Sequence, residues 1–176
     1  MLPFSSLLFA LFAVLFVSAT PASSPSSRDL LADVINALKI GLVTHINVTI
    51  TLDTLSDNLV TINFEAQNPL IIELTIDSVS TSAGLNNTEF ASFDHKFARP
   101  VVVPPLKKAN SGDIPNVLLT QGATASLDII PLGILDLLNV DVNVRAGSFF
   151  GRGGVPLKIT GLRQTKVPTT YNLLLG

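Results

Sequence analysis

The sequence predicts an all-β chain: an antiparallel β-sandwich of seven or eight strands, preceded by one short amphipathic helix. Three observations predict it. Short runs with one apolar face recur, as in Ile46, Val48, Ile50 and Leu52 against Asn47, Thr49 and Thr51. No helical period is interleaved between these runs. The runs also alternate rather than reading as solid apolar blocks, which marks sheets with one wet face and not a buried parallel sheet. Two such sheets bury their apolar faces against each other.

The chain has 176 residues, enough for one domain after a leader. Leu7 to Val17 is an unbroken apolar run, and Val17-Ser18-Ala19 offers small residues for cleavage. Residues 1–19 therefore read as a secretory signal peptide, because a spanning helix needs about 20 apolar residues. No Lys or Arg precedes the run. An uncleaved anchor is the rival reading. After cleavage no integral membrane span is expected. Residues 20–41 form a flexible lead-in, "TPASSPSS", and then the helix. There Leu30, Leu31, Val34, Ile35 and Leu38 recur at helical spacing over 28–39, Ser27 caps the start and Gly41 ends it. Residues 42–176 form the single sandwich domain.

After Gly41 the period becomes 2. "DTLSDN" turns the chain, and Val60, Ile62, Phe64 and Ala66 follow. Asn68-Pro69 then interrupts an alternation that resumes at Leu70, Ile72, Leu74 and Ile76 in the same parity. Proline gives a sheet no amide hydrogen, and the residue before it is pushed toward extended geometry. Asn68 and Pro69 read as a structural bend: the chain runs on through Asn68 with a kink that keeps the apolar face inward and lets the second half bend or join a different neighbour. Further strands are expected in "TEFASFDHKF", "ATASLDI", "NVDVNVRA" and "PLKITGL". "ARPVVVPPLKKANSGDIPN" carries Pro100, Pro104, Pro105 and Pro115, and reads as the long connection from one sheet to the other.

Bulk chemistry excludes several functions. The formal net charge of −2 supplies no basic face for nucleic acid. With no cysteine, the fold stands on hydrophobic packing without disulfides, and thiolate zinc is excluded. Asn47-Val48-Thr49 and Asn86-Asn87-Thr88 are glycosylation sequons. Asn47 falls on the outward parity of its strand and Asn86 in a loop, as a glycan requires.

Candidate chemistry is sparse. Ser92, Asp94 and His95 look like a nucleophile, acid and base, but His95 faces the opposite side of the strand from the other two. They cannot form a local triad. Asn139, Asp141 and Asn143 share a face but are spaced about 6.6 Å per step, a row rather than a chelating cup. His45 and His95 are the only histidines. No cofactor or metal is expected. "AGSFFGRGGVP" lacks the Gly-Lys-Ser/Thr of a phosphate loop. Phe149, Phe150 and Arg152 at its tip form a candidate ligand-contact loop; the plainer reading is that one Phe plugs the end of the sandwich. Lys107-Lys108 is a second exposed pair, most simply solvated.

The run from "INVTITL" through "FEAQNPLIIELTIDSVSTSAGLNNTEFASFDHKF" to "ANSGDIPNVLLTQGATASLDIIPLG" resembles a set of secreted or membrane-associated fungal proteins of unknown function. These are similar to the late-embryogenesis-abundant type 2 proteins, also called water-stress and hypersensitive-response (WHy) domains. The resemblance covers roughly residues 40–165, and Asn68-Pro69 followed by "IIELTIDSVS" is its most recognisable element. Leu70 stands where the plant pattern has Asn or an aromatic residue. The resemblance implies an immunoglobulin-like or fibronectin-like sandwich with no catalytic centre. The functional expectation is a non-enzymatic secreted protein, extracellular or wall-associated and monomeric, with a binding or protective role in stress or at the cell surface. Its partner would be wall polymer, a membrane surface or a protein. The alternative is a carrier of a small apolar ligand, such as a lipid, between the sheets.

Overall fold

A computed structural model describes residues 41–174. The expected signal peptide (1–19) and the expected lead-in and helix (20–41, apart from Gly41) lie outside the described residues. The chain is nearly all β, but it is not a sandwich. Eight strands form one sheet: β1 Val43–Thr51, β2 Leu59–Gln67, β3 Leu74–Leu85, β4 Thr88–Val103, β5 Lys108–Asn110, β6 Ile114–Leu119, β7 Ile134–Ala146 and β8 Val155–Leu174. Their order is β1-β8-β7-β3-β4-β6-β2, and β2 pairs back onto β1. Seven strands therefore close into a barrel, and β5 adds a short pairing to β2 beside Glu65–Gln67. The expectation of an antiparallel sandwich is overturned twice over. No second sheet faces the first among the described residues. In addition, β1 runs parallel to β8, with Val48 opposite Tyr171, while it runs antiparallel to β2, with Val48 opposite Ile62.

The alternation that suggested a sandwich places side chains in the barrel equally well. Ile46, Val48 and Ile50 of β1 are buried, and Asn47 and Thr49 between them face outward. Ile76 on β3 and Val142 and Val144 on β7 continue the same inner surface. Ala66, Val103 and Val167 are fully enclosed, and Phe64 meets Phe97 edge-on at 6.4 Å. An apolar inside with a polar outside is the inverse of a transmembrane barrel. No helix among the described residues is long and apolar enough to cross a membrane.

Two segments depart from expectation. "ATASLDI" is not a strand; Gly122–Leu127 is a short helix. Its alternation rested on Ala123, Ala125, Leu127 and Ile129, and two of those four are alanines, too small to fix a period. Asn58 accepts the Ala123 amide hydrogen at 2.7 Å, which satisfies one open donor in the first turn. The proline-rich stretch is not a crossover between sheets either. Ala98 to Val103 completes β4, where residues 97–100 bulge out between the Lys96–Ser78 and Val101–Ile76 pairs. Pro100 lies in that bulge, where a missing donor costs no ladder bond.

Closure is testable by crosslinking, because the chain has no cysteine of its own. Thr49 on β1 is paired with Thr61 on β2 and with Asn172 on β8. The variants Thr49→Cys/Thr61→Cys and Thr49→Cys/Asn172→Cys should each form an intramolecular disulfide on mild oxidation, read by mass spectrometry. Absence of either bond would open the barrel.

Candidate functional site

Three loops meet at one end of the barrel: residues 68–73 between β2 and β3, 104–107 between β4 and β5, and 147–154 between β7 and β8. Asn68 joins the first two. Its side chain is fully buried. The side-chain NH2 donates to the carbonyls of Ile72 (2.7 Å), Val103 (3.0 Å) and Pro104 (3.2 Å), and its oxygen accepts from the Leu70 amide at 2.9 Å. The Asn68 backbone amide donates to Lys107, and the Leu106 amide donates to Leu70. Asn68-Pro69 therefore marks where the chain leaves the ladder. β2 ends at Gln67, six residues cross the barrel end, and β3 begins at Leu74 between new neighbours, β4 and β7.

Glu73 and Arg145 hold the third loop. One carboxylate oxygen of Glu73 accepts from the Ser148 hydroxyl and the Gly151 amide, both at 2.9 Å. Arg145 grips Asp77 through Nε and Nη2 and donates through Nη1 to the carbonyls of Gly151 and Gly153. The hydrogen bond to Asp77 raises the Arg145 pKa further above its ordinary value. A side chain on Gly151 would come within 2.7 Å of Val102, so this loop lies tightly against the end of β4. Beside the crown, the hydrogen bond from Lys108, and then that from Thr44, holds Glu65 below the usual carboxylate range.

On this frame sit the four most exposed large apolar side chains among the described residues: Ile71 at 83%, Phe150 at 79%, Phe149 at 75% and Leu106 at 68%. The two phenylalanine rings meet edge-on at 4.6 Å, and neither closes the barrel end. Phe149 and Arg152 exchange backbone hydrogen bonds at 2.9 and 3.0 Å, with Phe150 at φ +50° and Gly151 at φ +72°. That is a two-residue turn of type I′, which ordinarily carries Asn or Gly at its first position. Leu106 sits at φ +56°. Bulky side chains are rare in this left-handed region. Two of the four exposed tips therefore occupy strained backbone, an outlier that points toward function. Lys107 and Arg152 flank the tips, exposed and without a carboxylate partner among the described residues.

The remaining candidates lie elsewhere. Asn47 is half-buried on β1, where its side-chain amide donates to Asn63 at 2.9 Å. Asn86 is exposed at the β3–β4 hairpin tip, with Asn87, both at positive φ. His95 packs edge-on to Phe97 at 4.8 Å, and His45 shares a hydrogen bond with Thr170. Asp141 accepts from the Gly161 amide, and Asn143 donates to Ser78. No group of three or more His, Asp or Glu gathers among the described residues.

Inside the barrel a cavity of about 80 Å³ is lined almost wholly by apolar side chains, Val48, Phe93 and Val142 among them. The hydroxyl of Tyr171 is buried at this lining without a partner.

Sequence reasoning found the Phe149–Arg152 tip but missed Ile71 and Leu106. Their signal was an apolar residue two positions after Pro69 and one directly after Pro104-Pro105, where proline excludes a strand interior.

No protein-family model matches the sequence, and no curated protein matches it. A solved structure, described as that of a protein from Archaeoglobus fulgidus, is similar over 61% of this chain and 84% of its own, at 12% identity and a TM-score of 0.30. A likeness of that degree carries no argument about this chain.

Two outcomes follow from the strain and the buried hydroxyl. Phe150→Gly relieves a left-handed L-residue, which costs about 1–2 kcal/mol, against a glycine entropy cost of about 0.5–1 kcal/mol. The variant should unfold in urea at the same midpoint as the parent or a higher one. Burial pushes the Tyr171 hydroxyl up from 10.0 to about 12. The folded chain then holds a proton that the unfolded chain loses, so this stability is full below about pH 10 and falls as pH rises toward 12. Tyr171 is the sole tyrosine, so its ultraviolet titration is unobscured. A midpoint at the ordinary value would show the hydroxyl to be hydrated.

Proposed function

We propose that this is a non-enzymatic secreted protein with a binding or protective role at the cell surface, and that the loop crown is its binding end. One observation carries the reading. The most exposed apolar side chains converge on one barrel end, held by buried hydrogen bonds, and two of them stand on strained backbone. A contiguous exposed apolar patch marks an interaction site. The leader and the two sequons support secretion, and the resemblance to the water-stress proteins supports the protective role. The carrier reading draws less support. A cavity of about 80 Å³ falls well short of the roughly 300 Å³ at which small-molecule pockets begin.

The full chain, produced in a secreting host, provides the test. Phe149→Ser/Phe150→Ser should reduce its association with the cell-surface fraction about ten-fold or more, since each buried Phe side chain contributes about 1.5–3 kcal/mol. The folded fraction, followed by circular dichroism, should not change. Unchanged association would remove the crown from the binding function.

A further inference from the structure

We infer that the crown seats on the interface of an anionic phospholipid bilayer. Phe149, Phe150, Leu106 and Ile71 enter the boundary between headgroups and acyl chains, and Lys107 and Arg152 meet the lipid phosphates. The inference rests on the crown being the binding end and names what it binds.

Shape argues first. The apolar tips stand on three separate loops, and each is at least two-thirds exposed. A folded partner would need a concavity matched to them, whereas a fluid bilayer accepts any apolar projection whose backbone stays satisfied. The backbone at the base of the loops is satisfied: Asn68, Glu73 and Arg145 bond the Leu70 and Gly151 amides and the Ile72, Gly151 and Gly153 carbonyls. The apex amides of Ile71 and Phe150 have no protein partner among the described residues, so the tips seat no deeper than the headgroup boundary, where water and phosphate accept from them.

Charge argues second. The acids of this end are engaged within the protein: Glu73 on Ser148 and Gly151, Asp77 on Arg145, and Glu65 on Lys108. The charges left unpaired beside the tips are the cations Lys107 and Arg152. The far end of the barrel also exposes leucines, Leu52 and Leu55 among them, but these stand beside the exposed carboxylates Asp53 and Asp57. An anionic surface attracts the first end and repels the second. The crown combines its four apolar tips with two free positive charges.

Chain path argues third. The Leu42 carbonyl accepts from the Gln67 amide, immediately before the 68–73 loop. The chain therefore enters the barrel on the crown side. Asn86 lies beyond the twelve residues of β3, about 40 Å along the strand from the crown, so a glycan there points away from the surface.

The chain contains no tryptophan, which allows a single reporter to be placed. Phe150→Trp and Leu55→Trp variants of the full chain are mixed with vesicles of phosphatidylcholine, or of phosphatidylcholine with phosphatidylserine, with brominated acyl chains as quencher. Emission of the Phe150→Trp variant should shift to the blue and be quenched in the anionic vesicles, while that of Leu55→Trp stays unquenched. Adding Lys107→Gln and Arg152→Gln should weaken vesicle binding about five-fold per cation, and raised salt should mimic the loss. Equal quenching of both reporters would mean that the leader alone holds the chain, and would overturn the inference. No quenching of Phe150→Trp would overturn it as well. In that second case Phe149→Ser/Phe150→Ser separates the readings. If it still releases the chain from the cell surface, the crown binds a protein or wall polymer; if it does not, the crown reading falls too.

Discussion

β1 has hydrogen-bond partners along both of its edges, β2 antiparallel on one side and β8 parallel on the other. Everything else in the barrel depends on that double pairing. Without it, β2 and β8 would each present a row of open amides and carbonyls, a template for association with another chain. With it, the sheet closes and every inward residue faces the others across one shared lumen. A parallel partner for β1 is possible because β8 is twenty residues long. Its first part pairs antiparallel with β7, and its last part, from Thr169 onward, reaches β1.

Closure also decides where function can reside. A closed barrel offers its outer wall, its lumen and its two ends. The wall is polar, and a cleft in it of about 310 Å³ is lined by Asp94, His95, Lys96, Asp141, Asn143 and Lys158. The lumen holds a cavity of about 80 Å³, with one hydroxyl left unpartnered at Tyr171. The ends are where the chain leaves the ladder and must satisfy its backbone by other means. At one end Asn68, Glu73 and Arg145 do this with side-chain hydrogen bonds. The loops they hold carry exposed aromatic and aliphatic tips that local backbone preference would not choose.

Asn68-Pro69 shows how far local signals reach. Loss of the ladder donor at Pro69 and the extended bias at Asn68 were legible from residue type alone. That Asn68 would be fully buried, donating to the carbonyls of Val103 and Pro104 some 35 residues away, was not. The tip at Phe149–Arg152 was visible because glycines surround two aromatic residues. Leu106 was hidden in a stretch whose prolines suggested only a connection. The helix Gly122–Leu127 was misread because small residues in alternation carry no reliable period, and Asn58, sixty-five residues away, supplies its capping contact.

The sequence by itself determined that the chain is built mostly of strands with one apolar side, that no disulfide supports it, and which side of β1, β2 and β7 faces inward, although Leu52, of the same parity as Ile46, Val48 and Ile50, is exposed. These follow from residue type and a period of two, which are local properties. Only the tertiary structure decided that the strands form one closed sheet instead of two facing ones. Period two states which way a side chain points and says nothing about which strand lies beside it. The parallel neighbour of β1, β8, is set by hydrogen bonds between residues more than a hundred positions apart, and those bonds leave no mark in the alternation. The same long-range pairing brings Ile71, Leu106, Phe149 and Phe150 to one end, where residues scattered over eighty positions become a single surface.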